Sequence, residues 1–179
     1  MQRPPRVDGS RTIVALCALA LVFLGASAVA QSERFDTYEI ERILSRADYS
    51  FTNRLMYASA KDWVGKTVTF RGTIVQRPVI IPDDREYIQV SGQNSNNDPV
   101  NLVAYLDTPL PTQSGYERRG PTVSRGQNVI VFGILGKPRD FVDESGYVRF
   151  LPTMDLLLLY SAEDRDYKAP LWVSRSLRR

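Results

Sequence analysis

Histidine is absent from the sequence, and its single cysteine, Cys17, lies in an apolar run near the start of the chain. A mature chain without that run has neither residue, which excludes disulfides, thiol nucleophiles, Ser-His-Asp triads and zinc sites built from cysteine and histidine. The acidic segment 83–86 has the composition of a turn, and no second acidic cluster completes a metal site. We therefore expect a protein that is not an enzyme, with no catalytic residue, metal or cofactor.

The first 30 residues have the pattern of an export signal. Three arginines precede an uncharged run over residues 12–30, which ends in the small-residue cleavage pattern Ala28-Val-Ala30. We expect cleavage before Gln31 and a periplasmic or extracellular mature protein. The alternative is an uncleaved membrane anchor, because the uncharged run approaches the roughly 20 residues that span a bilayer. A membrane would then be contacted through this N-terminal segment alone.

The excess of positive charge is small. Lys and Arg total 23 against 20 Asp and Glu, and residues 66–160 carry ten basic and ten acidic residues. Nucleic-acid affinity comes largely from neutralised phosphates, so a basic domain is its usual footprint. Net charge therefore does not support a nucleic-acid ligand, although folding can still gather cations on one face.

Two stretches of alternating residues predict long strands with one buried face. Over residues 66–75 the alternation predicts Val68, Phe70 and Ile74 inside, and outside it predicts Thr67, Thr69, Arg71 and Thr73. Residues 126–135 repeat the layout, with an inward set of Val129, Val131 and Leu135. Each stretch contains a glycine, Gly72 or Gly133, where a bend is expected. Two bent strands of one design predict a small closed barrel.

The other strands are shorter. Residues 86–91 and 100–106 alternate, which predicts an inward set of Ile88, Val90, Leu102, Ala104 and Leu106. The same alternation predicts an outward set of Tyr87, Gln89, Asn101, Val103 and Tyr105. Residues 141–150 predict a hairpin and residues 154–160 a fifth strand. We expect the proline-rich residues 107–125 to form an extended loop and residues 161–179 a frayed tail.

An amphipathic helix is predicted over residues 36–60, within an N-terminal segment 31–65, because apolar residues follow three-and-four spacing there. Asp36 or Thr37 suits its N-cap. The fourth strand is apolar on both faces, so its outward residues Ile130, Phe132 and Ile134 need a cover. The helix is the candidate for that cover, and a partner-binding helix is the alternative.

Several segments together carry a family resemblance. They are Asn-Arg-Leu-Met-Tyr-Ala at 53–58, Trp-Val-Gly-Lys-Thr-Val-Thr-Phe-Arg-Gly at 63–72, Tyr-Ile-Gln-Val-Ser-Gly at 87–92, Val-Ala-Tyr-Leu-Asp at 103–107 and Ser-Arg-Gly-Gln-Asn-Val-Ile-Val-Phe-Gly at 124–133. In these the chain resembles the small bacterial OB-fold domains grouped as tRNA-anticodon-binding-like and, more loosely, the exported bacterial OB-fold family. The resemblance implies a mainly β protein, with a five-stranded OB-fold barrel over residues 66–160 and the N-terminal amphipathic helix beside it. It also implies a helix where this chain has the proline-rich 107–125 loop.

The end of the chain looks a little like the haem chaperone of cytochrome c maturation, with Tyr167 at the matching place. That family attaches haem through a histidine four residues before the tyrosine. Glu163 occupies that place here, so covalent haem capture is excluded.

The OB-fold resemblance also locates a candidate site. Such folds commonly bind ligands on the outer face of strands two and three, beside the 4–5 loop. The predicted ligand-binding residues are Arg71, Tyr87, Gln89, Tyr105, Arg139, Tyr147 and Arg149. Aromatics interleaved with arginine suit stacking on bases or sugars. The alternative is structural, because tyrosine and threonine favour exposed strand faces without any ligand.

These observations predict an exported, non-enzymatic binding module for a polar ligand. The fold resemblance makes nucleic acid a possible ligand, although the net charge of the chain does not support it. The alternative is a protein–protein adaptor of the cell envelope that uses the 107–125 loop and the 161–179 tail.

Overall fold

The computed structural model describes residues 35–80, 85–110, 123–142 and 146–178, with only the backbone described for 76–80. Every described residue belongs to one compact unit, Arg34–Arg179. The predicted signal 1–30, most of the 107–125 loop and residues 83–84 of the acidic segment lie outside the described residues. None of the helices that are described is long and apolar enough to cross a membrane.

Six strands form the body of the domain. They are β1 (Thr67–Ile80), β2 (Glu86–Gln93), β3 (Pro99–Leu106), β4 (Asn128–Val142), β5 (Val148–Ser161) and β6 (Pro170–Val173). The sheet order is β3-β2-β1-β4-β5-β6 with antiparallel neighbours, and β3 also pairs in parallel with β5. This pairing closes a ring of five strands, with β6 outside the ring. The mainly β class is confirmed, and the strand order agrees with the predicted OB-fold.

The ring encloses one core whose members follow the predicted alternation. Val68, Phe70 and Ile74 of β1 are buried in the same cluster as Val129, Val131 and Leu135 of β4. The inward sets of β2 and β3 join them: Ile88, Val90, Leu102, Ala104 and Leu106. The predicted inward faces of these four strands are therefore confirmed.

The predicted 36–60 helix is three shorter helices: α1 (Thr37–Arg46), α2 (Asn53–Ala58) and α3 (Ala60–Trp63). Asp36 caps α1 through the amide of Glu39, and Thr52 caps α2 through the amide of Leu55. The predicted single helix is interrupted because the backbone after α1 pairs with the start of β1. Pairing between β1 and β2 begins only at Arg71, so the start of β1 lacks a neighbour on that side. Asp48 supplies one by hydrogen-bonding to the backbone of Thr67 and Thr69.

Helix α1 covers the outer face of β4, as predicted. Ile43 of α1 and Ala47, the residue that caps its C-terminus, form a second buried cluster with Ile130 and Phe132 of β4, and with Leu158, Tyr160, Val173 and Leu177. Ile134 is an exception to the predicted cover, because it is 36% exposed. Helix α1 therefore covers the first half of β4 and leaves the second half open.

The expectation of a frayed C-terminal tail is wrong, because residues 170–178 pack onto the ring. Trp172 of β6 is buried in the main core, and its indole Nε1 donates to the carbonyl oxygen of Thr108 at 3.2 Å. A 3-10 helix, Arg175–Leu177, follows β6. Beyond it, Arg178 forms an antiparallel bridge with Phe35, so the two ends of the described domain meet. These contacts make the C-terminal segment part of the fold.

Strands β4 and β5 are longer than predicted. They continue past the ring as a two-stranded extension, named here the hairpin arm, which comprises residues 139–142 and 148–151. The predicted 141–150 hairpin forms the outer part of this arm. It carries the side chains that decide the shape of the candidate site.

Candidate functional site

The hairpin arm presents two different faces. Arg139 lies opposite Leu151, and Phe141 lies opposite Arg149, so these four side chains share one face. Asp140 lies opposite Phe150, and Val142 lies opposite Val148, which places that set on the other face. The first face is named here the arginine face. It brings together two residues that were predicted for the 4–5 loop, Arg139 and Arg149.

The arginine face is joined to the outer side of β2 and β3 by an aromatic triad. Tyr87 and Tyr105 are cross-strand partners whose ring centroids lie 6.4 Å apart. Phe141 of the arm lies 5.7 Å from the Tyr87 ring and 6.3 Å from the Tyr105 ring. The triad packs with Val103 and Leu151 as a third buried cluster. The predicted outer-face tyrosines and the hairpin arm therefore pack against each other.

The expected exposure of the two tyrosines is wrong. Tyr87 and Tyr105 are each only 5% exposed, because Phe141 and Leu151 of the arm lie against them. Stacking of a base or sugar directly on these rings is therefore blocked in this conformation. Arg139 and Arg149 are exposed on the arm, and Tyr147, directly before β5, is 70% exposed.

Gln89 continues the same side of β2, two residues beyond Tyr87. Its Nε2 donates to Oδ1 of Asn101 on β3 at 3.0 Å. This bond spans the outer face of the two strands and holds the amide of Gln89 in a fixed direction. Gln89 thus lies at the border of the triad, as a polar residue on a rigid support.

Sequence reasoning missed Arg85. Its guanidinium carbon lies 4.4 Å from the centroid of the Tyr105 ring, and it forms an ion pair with Asp155 of β5. Asp155 is the parallel register partner of Tyr105, which explains the meeting. The alternation of the strand could have identified Arg85, because it precedes Tyr87 by two residues and therefore lies on the same side of the strand.

Arg71 lies elsewhere. Its register partners are Gln93 on β2 and Ile130 on β4, whereas Tyr87 is paired with Val79. Residues 71 and 79 are eight positions apart on β1, which is about 26 Å along an extended strand. The structure therefore separates Arg71 from the other six predicted residues. It lines a cleft of about 260 Å³ together with Tyr49, Thr69 and Tyr167.

The other face of the hairpin arm borders an apolar cavity of about 630 Å³, lined by Met56, Tyr57, Ala60, Pro138 and Phe150. The rings of Tyr57 and Phe150 stack at 5.9 Å, and the Tyr57 hydroxyl donates to the carbonyl oxygen of Phe150 at 2.8 Å. These contacts fix helix α2 against the arm. They hold the arm from the side opposite the arginine face.

The arginine face carries two positive charges, and the carboxyl of Glu86 lies at the start of strand β2. Burial raises the pKa of the Glu86 carboxyl, while a hydrogen bond from the backbone of Leu110 opposes that shift. Among the described residues there is no group of three His, Cys, Asp or Glu side chains that could hold a metal ion. The described charged side chains of the arm on this face are both arginines, Arg139 and Arg149. The arrangement can attract and orient a negatively charged group.

Comparisons with known proteins find a similar solved structure and no matching sequence. No protein-family model matches the chain, and no curated protein sequence matches it. Among solved structures, it is similar to the mitochondrial single-stranded DNA binding protein Rim1 from S. cerevisiae, with a TM-score of 0.34 and 10% sequence identity. That alignment covers 55% of this chain and 95% of the other.

Proposed function

We propose that this protein is an exported, non-enzymatic OB-fold binding module whose strand ring is a small barrel. Its ligand is polar and negatively charged and contacts the arginine face. The observation that supports this most directly is the pair of exposed guanidinium groups, Arg139 and Arg149, on one face of a braced arm. Gln89 and the exposed Tyr147 extend the surface.

The aromatic triad has a supporting role in this proposal. Tyr87, Tyr105 and Phe141 lock the arm against β2 and β3, and the Tyr57–Phe150 stack holds its other face. A surface fixed from both sides loses little conformational freedom when a ligand binds, which favours affinity. The two tyrosines therefore act through the position of the arm rather than as stacking platforms.

An anionic oligomer is the ligand class that this surface fits. Each guanidinium presents donors in a fork that suits phosphate, sulfate or carboxylate groups. Arg139 and Leu151 form one cross-strand pair, and Phe141 and Arg149 form another. The two charges consequently lie at different positions along the arm, as a ligand with repeated negative groups requires.

Fluorescence anisotropy of two labelled probes tests the proposal: a short oligothymidylate and a sulfated oligosaccharide. We expect at least one to bind. The double change Arg139→Gln with Arg149→Gln should weaken that binding by about tenfold or more, equivalent to about 1.4 kcal/mol. Arg46→Gln is the matched control, because Arg46 is an exposed cation in the last turn of α1.

The binding results distinguish a specific site on the arginine face from non-specific attraction. Loss of affinity in the double variant only, with a binding constant that falls as salt increases, supports an electrostatic site on the arginine face. Equal loss in Arg46→Gln points to non-specific attraction and contradicts the site. Failure of both probes to bind contradicts an anionic ligand.

Export is proposed from the sequence of residues 1–30. Mass spectrometry of the protein from its native host should find a mature chain that begins at Gln31. An intact N-terminus found solely in the membrane fraction would instead support the anchor.

The adaptor alternative receives less support. It uses the 107–125 loop and the 161–179 tail, and the end of that tail is packed: Trp172 is 3% exposed and Leu177 is 6% exposed. A peptide buried in its own domain is not available to a partner.

A further inference from the structure

The cleft beside Arg71 is built on rigid walls. Asn94, after the end of β2, donates from Nδ2 to the carbonyl oxygen of Ser50 at 3.1 Å. Ser95 donates from its backbone amide and its hydroxyl to the carbonyl oxygen of Tyr49, at 3.2 Å and 3.0 Å. These bonds tie the β2–β3 loop to the segment after α1. The cleft between them is therefore a property of the fold rather than of one side-chain rotamer.

One residue in the lining of one wall of the cleft has a buried hydroxyl that lacks a hydrogen-bond partner within the part of the chain that the structure describes. Thr69 is 1% exposed, and its Oγ1 is one of two buried side-chain polar atoms among the described residues that make no hydrogen bond. Buried hydroxyls almost always have a partner, so each exception calls for an explanation. Thr69 is one of the residues that line the cleft, so a bound molecule can supply this partner.

The same wall holds a free cation. Arg71 is exposed, and its guanidinium forms no ion pair with any residue that the structure describes. It is the one charged side chain in the lining of the cleft, which includes no carboxylate. The cleft therefore favours a negatively charged molecule over a neutral or positively charged one.

The opposite wall is aromatic. Tyr167 packs its ring edge-on against Tyr160 at 5.2 Å and Phe132 at 5.5 Å. Its backbone is left-handed, with φ of 53°, which is uncommon for a bulky residue. Tyr49 stands beside it, and burial, followed by the neighbouring Tyr167 phenol, raises the pKa of Tyr49. Both rings offer apolar surface together with a hydroxyl group.

We propose that this cleft binds a small organic anion with a single ring. Its carboxylate lies against Arg71, its ring lies against the aromatic side chains of Tyr49 and Tyr167, and a polar atom reaches Thr69. The volume of about 260 Å³ lies just below the range of about 300–1,000 Å³ typical of drug-sized ligands, which sets the size of the ligand at about one ring. This site is separate from the arginine face and goes beyond the proposed function.

Isothermal titration of the full chain with 4-hydroxybenzoate tests the proposal. Two controls dissect the ligand: 4-hydroxybenzamide keeps the ring without the charge, and acetate keeps the charge without the ring. We expect saturable binding of 4-hydroxybenzoate, with the amide and acetate each about tenfold weaker or more. Acetate that binds as well as the aromatic acid would show a bare anion site and overturn the proposal.

Three variants locate the binding. Arg71→Gln should weaken 4-hydroxybenzoate by about tenfold while the melting temperature stays near that of the parent. Thr69→Val keeps the shape of the side chain, so it should weaken binding while stability is kept or raised. Arg139→Gln should leave this binding unchanged, which separates the cleft from the arginine face. Unchanged affinity in Arg71→Gln, or no binding of 4-hydroxybenzoate to the parent, would overturn the proposal.

Discussion

The hydroxyl of Ser174 donates to Oδ2 of Asp107 at 2.6 Å, across 67 residues of sequence. The same carboxylate accepts the backbone amide of Arg175, at 2.9 Å and 3.1 Å to its two oxygens. One aspartate at the end of β3 thus holds the chain where it leaves β6. Ser174 is 3% exposed, so water does not replace this bond easily.

Asp107→Ala should therefore destabilise the domain. Hydrogen bonds to a charged group are worth about 1.5–3 kcal/mol each, and the change also leaves the Ser174 hydroxyl without its acceptor. We expect a loss of about 2–4 kcal/mol, measured by urea unfolding. The matched control is Asp166→Ala, whose exposed carboxylate pairs with exposed Lys168 and should cost less than about 1 kcal/mol. Equal effects would show that the Asp107 bond does not anchor the tail.

Tyr105→Ala should cost much more stability than Tyr147→Ala. Tyr105 is buried in the aromatic triad, where truncation of a large side chain costs about 3–5 kcal/mol. Tyr147 is 70% exposed, and surface changes usually stay within about 0.5 kcal/mol. Thermal unfolding of both variants provides the measurement. A Tyr105→Ala variant that melts with the parent would show that the arm does not close over β2 and β3.

Gly133→Ala should be the most damaging of three glycine changes. A Cβ there would lie 2.4 Å from Cγ of Met154 and 2.6 Å from the carbonyl oxygen of Asp155. At Gly72 the nearest atoms would lie at 2.8 Å and 2.9 Å, and at Gly126, with φ of 84°, no atom lies within 4 Å. We expect a loss of about 1–3 kcal/mol or more at Gly133, less at Gly72, and about 1 kcal/mol of backbone strain at Gly126. Denaturant unfolding that gives a different order would contradict this close packing.

Thr69→Val and Thr153→Val should change stability in opposite directions. Both threonines are buried in strands, but Oγ1 of Thr153 donates to the carbonyl oxygen of Lys137 at 2.9 Å, whereas Oγ1 of Thr69 makes no hydrogen bond. Removal of a satisfied hydroxyl costs about 1 kcal/mol, and removal of an unsatisfied one restores a comparable amount. Melting temperatures measured side by side test this sign. A loss of stability in Thr69→Val would show that its hydroxyl has a partner in solution.

Alkaline pH should weaken the fold through Tyr160. Burial, followed by the negative charge of Asp164, raises the pKa of Tyr160 to about 12. Because the folded pKa lies above the unfolded value near 10, this stability is fully present below pH about 10 and is lost as pH rises through about 12. A shift of this size corresponds to about 2–3 kcal/mol.

Urea unfolding from pH about 8 to about 12 measures this loss. Tyr160→Phe should remove much of the pH dependence, whereas Tyr38→Phe, at a position 70% exposed, should retain it. A flat profile in the parent would contradict the burial of the Tyr160 hydroxyl.

The sequence predicted the inside of the ring better than its outside. Alternation in β1 to β4 depends on local chain geometry, so Val68, Ile88, Leu102 and Val131 were placed correctly. The outside depends on which distant segment covers each position. Nothing near Tyr87 or Tyr105 in sequence shows that Phe141 lies against them.

The same reason explains the two errors around the helices and the tail. The end of α1 is decided by the free edge of β1, which Asp48 fills, and that edge exists only once the ring has formed. Trp172 is a residue of the type that is often buried, but it lies in a segment rich in charged residues, so the sequence predicted a frayed tail there. The cleft beside Arg71 combines residues from distant parts of the chain, so no single stretch could reveal it.

The bridge between Phe35 and Arg178 brings the two ends of the domain next to each other. The amide of Asp36 donates to the carbonyl oxygen of Leu177 at 2.9 Å, so the two ends of the domain are hydrogen-bonded neighbours. A short linker could join them without stretching any contact. A circular permutant, closed there and opened at a surface loop, would keep the strand pairings and core of the parent. The order in which the strands occur along the chain is in that sense separable from the ring that they build.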